Sequence, residues 1–287
     1  MRTVLVLGLI LTAFAAPASA APHAWDQQWT VAATPEVRII TEDAHVRVHT
    51  GSAGQVSVHI AYELQRWGLL IGGGEPTVVF ERHGDKITIT ARDPKAFGVI
   101  GGADEKFTVD VTLPPTVNLT VRTGDGAIDC EPLSGTLAFR SGDGAIRAHG
   151  LKGTIDYSTG DGRVILEGID GELTGRAGDG SAKLSGRFDL LDVASSDGRI
   201  EVEATKGSRT AKDWSLETAD GGLTLRIPLD FAALLDCRTR DGGMHITLPI
   251  DADRASLKHE LTGELNGGGR LLRMRTGDGA LNLGLSE

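Results

Sequence analysis

The chain has 287 residues, a formal net charge of −10 and 39 glycines, while aromatic side chains make up only 5% of it. Such an acidic chain lacks the basic surface that nucleic acid or anionic lipid requires, so we expect no nucleic-acid partner. Sparse aromatics and abundant glycine favour a narrow, repetitive core over a large globular one.

Residues 1–20 have the pattern of a secretory signal peptide. Arg2 supplies a positive charge, an apolar run extends from Val4 to Ala16, and Ala18-Ser19-Ala20 fits the small-x-small cleavage rule. The run is too short to span a bilayer comfortably, and no second long apolar stretch follows. We therefore expect an exported chain, periplasmic or at the cell surface and extracellular space, with no transmembrane segment after cleavage.

Residues 21–35 are interpreted as a linker, and residues 36–112 as a β-rich lead-in that acts partly as a cap. Val37 and Ile39 alternate with polar neighbours, as do later valines, which is typical of half-buried strands. The segment Thr41-Glu42-Asp43-Ala44 resembles an eroded copy of the turn that repeats downstream. We therefore expect the lead-in to continue the sheet of the repeat region.

Two apolar segments of the lead-in, residues 67–74 and 97–102, each combine an aromatic-glycine pair with aliphatic residues and further glycines. They are predicted to be loops that cap the open end of a repeat stack, which would otherwise expose strand edges. The alternatives are contact with a partner or membrane surface, or disorder. The candidate contact residues are Trp67, Leu69, Ile71, Phe97 and Ile100.

The region from residue 113 to 287 is dominated by a T-G-D-G repeat. Its first five aspartates follow one another at intervals of 18 residues, and later copies centre on Asp220, Asp241 and Asp278. The long last interval is predicted to hide a degenerate copy at Thr262-Gly263-Glu264. The five regular copies have the aspartates Asp125, Asp143, Asp161, Asp179 and Asp197 and the final glycines Gly126, Gly144, Gly162, Gly180 and Gly198.

Apolar residues keep the register of this repeat. An apolar residue stands three and five positions after each aspartate, as Ile146 and Ala148 do after Asp143, so a half-buried strand follows each turn. One such unit cannot bury its apolar face alone, but stacked units give each inward residue a neighbour above and below. The sequence therefore predicts an all-β fold, a single-chain β-solenoid or β-helix with coils of about 18 residues.

The aspartate column has one favoured interpretation and two alternatives. In the favoured one, glycine supplies positive φ, each aspartate closes an Asx-type turn, and an arginine column screens the charge. The alternatives are a calcium ladder along the five regular aspartates and a catalytic acid pair. The arginines that directly precede a turn are Arg122, Arg140, Arg176, Arg238 and Arg275.

No other motif predicts chemistry. His45, His49 and His59 fall on the polar face of lead-in strands, and the zinc-protease-like start at His259-Glu260 has Gly263 where a second histidine is needed. Nucleophile-elbow and phosphate-loop motifs are missing as well. We expect no cofactor, no metal and no enzymatic activity.

The two cysteines, Cys130 and Cys237, are separated by about six coils at the strand spacing of about 4.8 Å. A disulfide requires Cα atoms within roughly 7 Å, so both are predicted to be small buried hydrophobic residues without a bridge.

The run from Val111 to Gly126, V-T-L-P-P-T-V-N-L-T-V-R-T-G-D-G, with the T-G-D-G copies behind it and a signal peptide before it, resembles the bacterial "putative adhesin" β-repeat family. The resemblance covers roughly residues 36–287. It implies an all-β solenoid at the cell envelope or surface, in a domain of unknown function. It brings no catalytic residues.

Three functions are consistent with these features. The first is a non-catalytic, monomeric envelope or surface protein that binds an unknown envelope protein or extracellular polymer. The second is a periplasmic regulatory domain that binds a protein partner. The third is a carbohydrate-active solenoid enzyme, for which the candidate acids are Asp251, Asp253, Glu260 and Glu264.

Overall fold

The computed structural model describes residues 23–71, 75–94, 98–248 and 259–286. The predicted signal peptide, Phe97, Asp251 and Asp253 lie outside these ranges. Within them, no helix is long and apolar enough to cross a membrane. All the helix and strand elements described are strands: β1 (His23–Thr30), β2 (Glu36–Thr41), β3 (His45–Thr50), β4 (Gln55–Ile71), β5 (Thr77–His83), β6 (Lys86–Arg92), β7 (Gly98–Leu113), β8 (Thr116–Arg122), β9 (Ile128–Cys130), β10 (Ser134–Arg140), β11 (Ile146–His149), β12 (Lys152–Thr159), β13 (Val164–Ala177), β14 (Ala182–Ser195), β15 (Ile200–Ala204), β16 (Trp214–Thr218), β17 (Leu223–Ile227), β18 (Ala233–Thr239), β19 (Met244–Ile246), β20 (Glu260–Leu265), β21 (Leu271–Thr276) and β22 (Leu281–Leu285).

The strands form two ladders that share one apolar interior. A coil consists of a strand of the leading ladder, a turn, and a strand of the trailing ladder, and the long strands β13 and β14 each contribute to both ladders. In stacking order the leading ladder is β5, β6, β2, β8, β10, β12, β13, β14, β16, β21, β18 and β20. The trailing ladder is β1, β4, β7, β3, β9, β11, β13, β14, β15, β17, β22 and β19.

Neighbouring coils in the middle of the stack pair in parallel and in register. Leu119 is the partner of Leu137, and Leu137 is the partner of Ile155, so identical positions of the repeat lie above one another. All three side chains are fully buried, and inward residues of both ladders belong to one apolar cluster. The chain is therefore all-β and solenoid-like, as the repeat predicts.

The stacking order differs from the chain order at both ends. The coil β2–β3 lies between β6–β7 and β8–β9. At the other end, the last strands, β21 and β22, lie between β16–β17 and β18–β19. The turn at Asp278 therefore stacks between those at Asp220 and Asp241. The degenerate copy predicted at residues 262–264 is wrong, because these residues lie inside β20, which pairs antiparallel with β18 and closes the leading ladder.

A buried hydroxyl holds most of the turns against a neighbouring coil, the exception among the regular copies being the turn that begins with Ala177. The first residue of the T-G-D-G motif is buried, as in Thr123, Thr159, Ser195 and Thr276. The Thr159 hydroxyl donates to the carbonyl oxygen of Gly142 in the adjacent coil at 3.1 Å. In the same way Ser195 donates to Gly178 at 2.7 Å. The hydroxyl is thus a second donor to a carbonyl oxygen that also accepts from a backbone amide, as Gly142 does from Gly160 and Gly178 does from Ser196.

The same hydroxyl also closes its own turn. The amide of Gly198 donates to Ser195 Oγ at 3.1 Å, and the amide of Gly242 donates to Thr239 Oγ1 at 3.0 Å. The eroded copy predicted at residues 41–44 behaves alike, because the amide of Ala44 donates to Thr41 Oγ1 at 3.1 Å. Among the described turns, this geometry assigns to the hydroxyl the closing role that the sequence analysis gave to the aspartate.

The final glycine of each turn is required by close stacking. A Cβ on Gly162 would lie 2.2 Å from the carbonyl oxygen of Gly144, and the other copies are equally tight. These glycines are not among those with positive φ, so the conformational reason expected from the sequence is wrong for them. Positive φ occurs instead in the opposite corner, where Gly135 has φ 131° and Gly153 has φ 109°.

The interior is narrow and apolar. Trp214, Tyr157, Phe139 and Phe188 are its largest fully buried side chains. Cys130 and Cys237 are both buried and unbridged, which confirms that prediction. Burial raises the pKa of each thiol to about 12, so both remain neutral.

The N-terminal end of the stack departs from the sequence analysis. Residues 23–30, within the predicted linker, form β1, which pairs antiparallel with β4. Trp25 and Trp29 pack against the core, and the Trp29 ring meets that of Phe80 on β5 edge-on, with centroids 5.8 Å apart. This apolar contact gives the segment a reason to be ordered at the end of the stack.

The stacking hydroxyl can be tested at a single turn. Thr159→Val keeps the shape of the side chain but leaves the Gly142 carbonyl with the Gly160 amide as its donor and removes the hydroxyl, so we expect a loss of about 1 kcal/mol in the free energy of unfolding. Gly162→Ala should cost more than about 2 kcal/mol, because its Cβ collides with backbone. Urea denaturation of the chain measures both.

Thr154→Val is the matched control, since Thr154 lies on the same strand but is exposed. Its effect should stay within about 0.5 kcal/mol. Equal losses for the two threonines would contradict the role assigned to the buried hydroxyl.

Candidate functional site

The turn aspartates form an exposed column along one edge of the stack. The contacts of their side chains are weak: the amides of Asp125 and Asp161 approach the carboxylates of Asp43 and Asp143 in the adjacent coils at 3.4 Å. Among the described residues, no group of three or more histidine, cysteine, aspartate or glutamate side chains is arranged to hold a metal ion. The column is therefore a repeated surface feature, and its copies lack the differing environments that an acid and a base require.

The arginine column does not screen these aspartates. Arg140 pairs with Asp156 at 2.9 Å, and Arg176 pairs with Asp192 at 2.9 Å, both on the outer face of the leading ladder. The prediction of a screening column is wrong because alternate residues of a strand project from the sheet face, whereas the turn aspartates lie at its edge.

A second set of charged residues lies on the outer face of the trailing ladder near its N-terminal end. Arg47 on β3 pairs with Asp110 on β7 at 2.7 Å, and His45 contacts Asp129 on β9 at 2.5 Å. His49 lies between two carboxylates, 3.0 Å from Glu131 and 3.4 Å from Asp110. These contacts cross both interfaces of β3.

The same set extends to the neighbouring strands. His59 on β4 contacts Asp26 on β1 at 2.8 Å, and Arg147 on β11 lies 3.7 Å from Asp129. Basic and acidic side chains therefore alternate across the ladder, an arrangement that favours cross-strand pairing. We call this set the charge lattice: Asp26, His45, Arg47, His49, His59, Asp110, Asp129, Glu131 and Arg147.

Two groups of the lattice have shifted pKa values. The hydrogen bond to Glu131, followed by that to Asp110, raises the pKa of His49 above its ordinary value, although burial opposes the shift. The hydrogen bond from His49, assisted by the Thr50 amide, lowers the pKa of Glu131. The pair therefore favours imidazolium and carboxylate.

A shallow cavity of about 330 Å³ opens beside the lattice, lined by Arg47, His49, Glu131, Arg147 and His149 among others. Its basic and acidic side chains already pair with one another, so they compensate each other's charge.

The sequence correctly predicted that His45, His49 and His59 lie on the polar face, but it did not predict that they form a cluster with carboxylates. Their partners come from strands far away in the chain, and the non-sequential order that joins them has no local signal.

The predicted apolar loops are largely strands, so that prediction is wrong. Beyond Tyr62 and Phe107, β4 and β7 continue as a two-stranded antiparallel ribbon, and no other described strand pairs with it. We call residues 63–71 and 98–106 the arm. Antiparallel pairing satisfies the backbone of segments that glycines had suggested to be irregular.

The arm brings together four of the five predicted contact residues. Leu69 pairs with Ile100, Trp67 with Gly102 and Ile71 with Gly98. The backbone register therefore places these four residues at neighbouring positions of the ribbon.

An acidic group lies at the base of the arm. The amide of Asp43 donates to the Asp93 carboxylate at 3.0 Å. Burial is the main cause that raises the pKa of Asp93 to about 6, and repulsion by Asp43, Glu105 and Glu42 adds to it. Beside them, the rings of Tyr62 and Phe107 meet edge-on at 5.5 Å.

The acids named for a carbohydrate-active enzyme do not form a described cleft. Glu260 and Glu264 both lie on β20, where Glu260 pairs with Arg238 at 3.1 Å. Asp251 and Asp253 lie outside the described residues. The described part of the chain therefore supplies no acid and base pair at this position.

The pH dependence of the His49–Glu131 pair follows from its pKa shifts. The raised pKa of His49 adds stability that is complete below the ordinary value of 6.5 and is lost as the pH rises through the shifted value. The lowered pKa of Glu131 adds stability that is present above 4.5 and lost as the pH falls. The stabilising contributions of His49 and Glu131 are therefore both present between pH 4.5 and pH 6.5.

We therefore expect His49→Gln to destabilise the chain most at mildly acidic pH, by less than about 1 kcal/mol because both groups are partly exposed. Urea unfolding of the wild type and the variant across the pH range measures the difference. A difference that is constant with pH would contradict the ion pair.

Several solved structures and one family model resemble the chain. No curated protein matches. Solved structures that resemble the chain include a "putative cell adhesion protein" of Clostridium sporogenes (11% identity, TM-score 0.31, covering 92% of this chain and 100% of that one). Others are a "putative lipid binding protein" of Parabacteroides distasonis (11%, 0.41, 91% and 96%) and a "putative adhesin" of Bacteroides fragilis (10%, 0.36, 91% and 97%).

The family resemblance inferred from the repeat is confirmed. Residues 35–283 match one family over most of the chain. The chain belongs to the Toastrack DUF4097 family.

Proposed function

We propose that this chain is an exported, non-catalytic binding module of the cell envelope or surface. A stack of coils of about 18 residues serves as a stiff support, and the arm contacts an envelope protein or an extracellular polymer. The observation that carries the proposal is the arm, a paired ribbon that leaves the body of the solenoid.

The arm has a composition suited to contact and a geometry that needs support. An isolated two-stranded ribbon is at best marginally stable in water, so a second layer would stabilise it. From Trp67 to Ile71 and from Gly98 to Gly102 it contains no charged residue. At about 3.3 Å per residue, the nine residues of each arm strand reach roughly 30 Å. The outer half of this projection is uncharged and rich in aliphatic residues, a composition that suits a contact surface.

The described side chains support a binding role better than a catalytic one. The turn aspartates are all exposed, and the members of the charge lattice pair with one another. The lattice stabilises the strands that bear the arm. This arrangement suits a fixed platform for contact.

The arm can be tested by site-specific photo-crosslinking in host cells. A photoreactive residue at position 69 should form an adduct with a partner. Trp67→Asp in the same chain should remove that adduct, because a carboxylate two residues from the contact is costly to bury against a partner.

The matched control places the photoreactive residue at Leu229, an apolar side chain that is 67% exposed and far from the arm in the fold. It should give no adduct, and Trp67→Asp should leave the urea midpoint unchanged. Adduct formation that survives Trp67→Asp would overturn the assignment of the arm. An adduct with an inner-membrane or periplasmic regulator would favour the alternative role as a regulatory domain, and one with a surface polymer would favour adhesion.

A further inference from the structure

We propose that the base of the arm is a proton-sensitive joint that holds the arm's strands firmly on the solenoid at mildly acidic pH and loosens towards neutral pH. The joint would regulate the contact named under the proposed function, and its importance to the cell rests on that function. The joint itself can be tested without a partner.

The charge lattice crosses the interfaces through which the arm is attached. The two arm strands continue into the body as residues 55–62 of β4 and 107–113 of β7, and they carry His59 and Asp110. Histidine contacts link β4 to β1, β7 to β3 and β3 to β9. Each of these links is an ion pair only while its histidine is protonated.

Charged groups lie around each of the three histidines, His45, His49 and His59. His49 faces Glu131 from β9 and Asp110 from β7, with Arg47 beside it on β3 and His149 near Glu131 on β11. His45 faces Asp129, which Arg147 also approaches, and His59 faces Asp26 from β1 and is opposed by Asp110 on β7. Carboxylates are therefore the immediate neighbours of all three imidazoles.

Asp93 and its acidic neighbours, at the base of the arm, also destabilise the joint as the pH rises. Asp93 is close to Asp43, Glu42 and Glu105, and Glu105 belongs to the arm itself. When Asp93 is protonated, this repulsion falls, and the neutral carboxyl fits its partly buried position. Ionisation of Asp93 adds a further negative charge beside Asp43, Glu42 and Glu105.

The signs of the two effects agree. The raised pKa of Asp93, about 6, means that the closed joint holds a proton that the opened joint releases, so stability is lost as the pH rises through that value. The raised pKa of His49 gives a loss in the same direction at higher pH. Only Glu131, whose pKa is lowered, opposes them, and only as the pH falls through 4.5 and below.

The expected size follows from Asp93. A shift from 3.8 to about 6 makes local opening up to about tenfold rarer at pH 5 than at pH 7.5, and solvent screening reduces this to about three- to tenfold. The raised pKa of His49 acts in the same direction. An effect of this size is measurable by amide hydrogen exchange.

The experiment measures amide hydrogen exchange of the chain without a partner at pH 5 and pH 7.5. Observed rates are divided by the intrinsic rate at each pH, so that protection factors are compared. Peptides covering residues 55–64 and 104–113 should be about three- to tenfold more protected at pH 5. Peptides covering β17 and β22, in the distant coils, should change little. Asp93→Asn combined with His49→Gln should remove most of the pH response at the base.

His245→Gln is the matched control, since His245 lies exposed on β19 of the same ladder at the other end, and it should keep the full response. The proposal would be overturned if protection changed equally with pH at the base of the arm and in β17 and β22. It would also be overturned if the double variant kept the full pH response at the base. If the double variant fails to fold, the single variant Asp93→Asn tests the joint instead. Its uncharged amide replaces the carboxyl, so it should lose most of the pH response at the base of the arm. Loss of crosslinking at position 69 with an intact joint would refute the proposed function alone.

Discussion

The buried hydroxyl at the start of nearly every turn is the contact on which the stack depends. It closes its own turn by accepting from the glycine amide, as in Ser195, and it donates to a carbonyl of the next coil. The glycine that ends the turn allows this approach, because any Cβ there would collide with the adjacent backbone. Once the turns are fixed at this spacing, both strands of each coil lie in register, and the apolar residues that follow are buried in columns.

This contact is the same in nearly every coil, so it cannot by itself decide which coils are neighbours. Ion pairs cross the stack where its order departs from the chain. At one end the charge lattice joins β7, β3 and β9. At the other, Asp236 on β18, whose side chain is 15% exposed, lies 3.3 Å from Arg275 on β21. Polar pairs of this kind disfavour alternative registers.

Much of the fold could be predicted from the sequence because its signals are local and repeated. The spacing of the turns, the alternation of residues such as Ile146 and Ala148, and the eroded turn at Thr41 each report on a few neighbouring residues. The unbridged cysteines followed from coil spacing alone. Local pattern also identified four residues that pair within the arm or lie next to each other in it, although it assigned them to loops.

What could not be predicted depends on contacts between distant segments. The order of the coils, the pairing of β1 with β4 and the partners of His49 all require knowledge of which strands become neighbours. The arginines that precede the turns illustrate the same limit. Their sequence position suggested the adjacent aspartate, while the pleat of the strand directs Arg140 to Asp156 instead.

The most direct test of the coil order is a pair of double cysteine variants near the C-terminal end. Thr224 and Asn282 are partners on β17 and β22, so Thr224→Cys with Asn282→Cys should form a disulfide under mild oxidation. Thr224→Cys with His245→Cys should not, because the strand β22 lies between them. A disulfide in the second variant and none in the first would show coils stacked in chain order and contradict the inserted C-terminal coil.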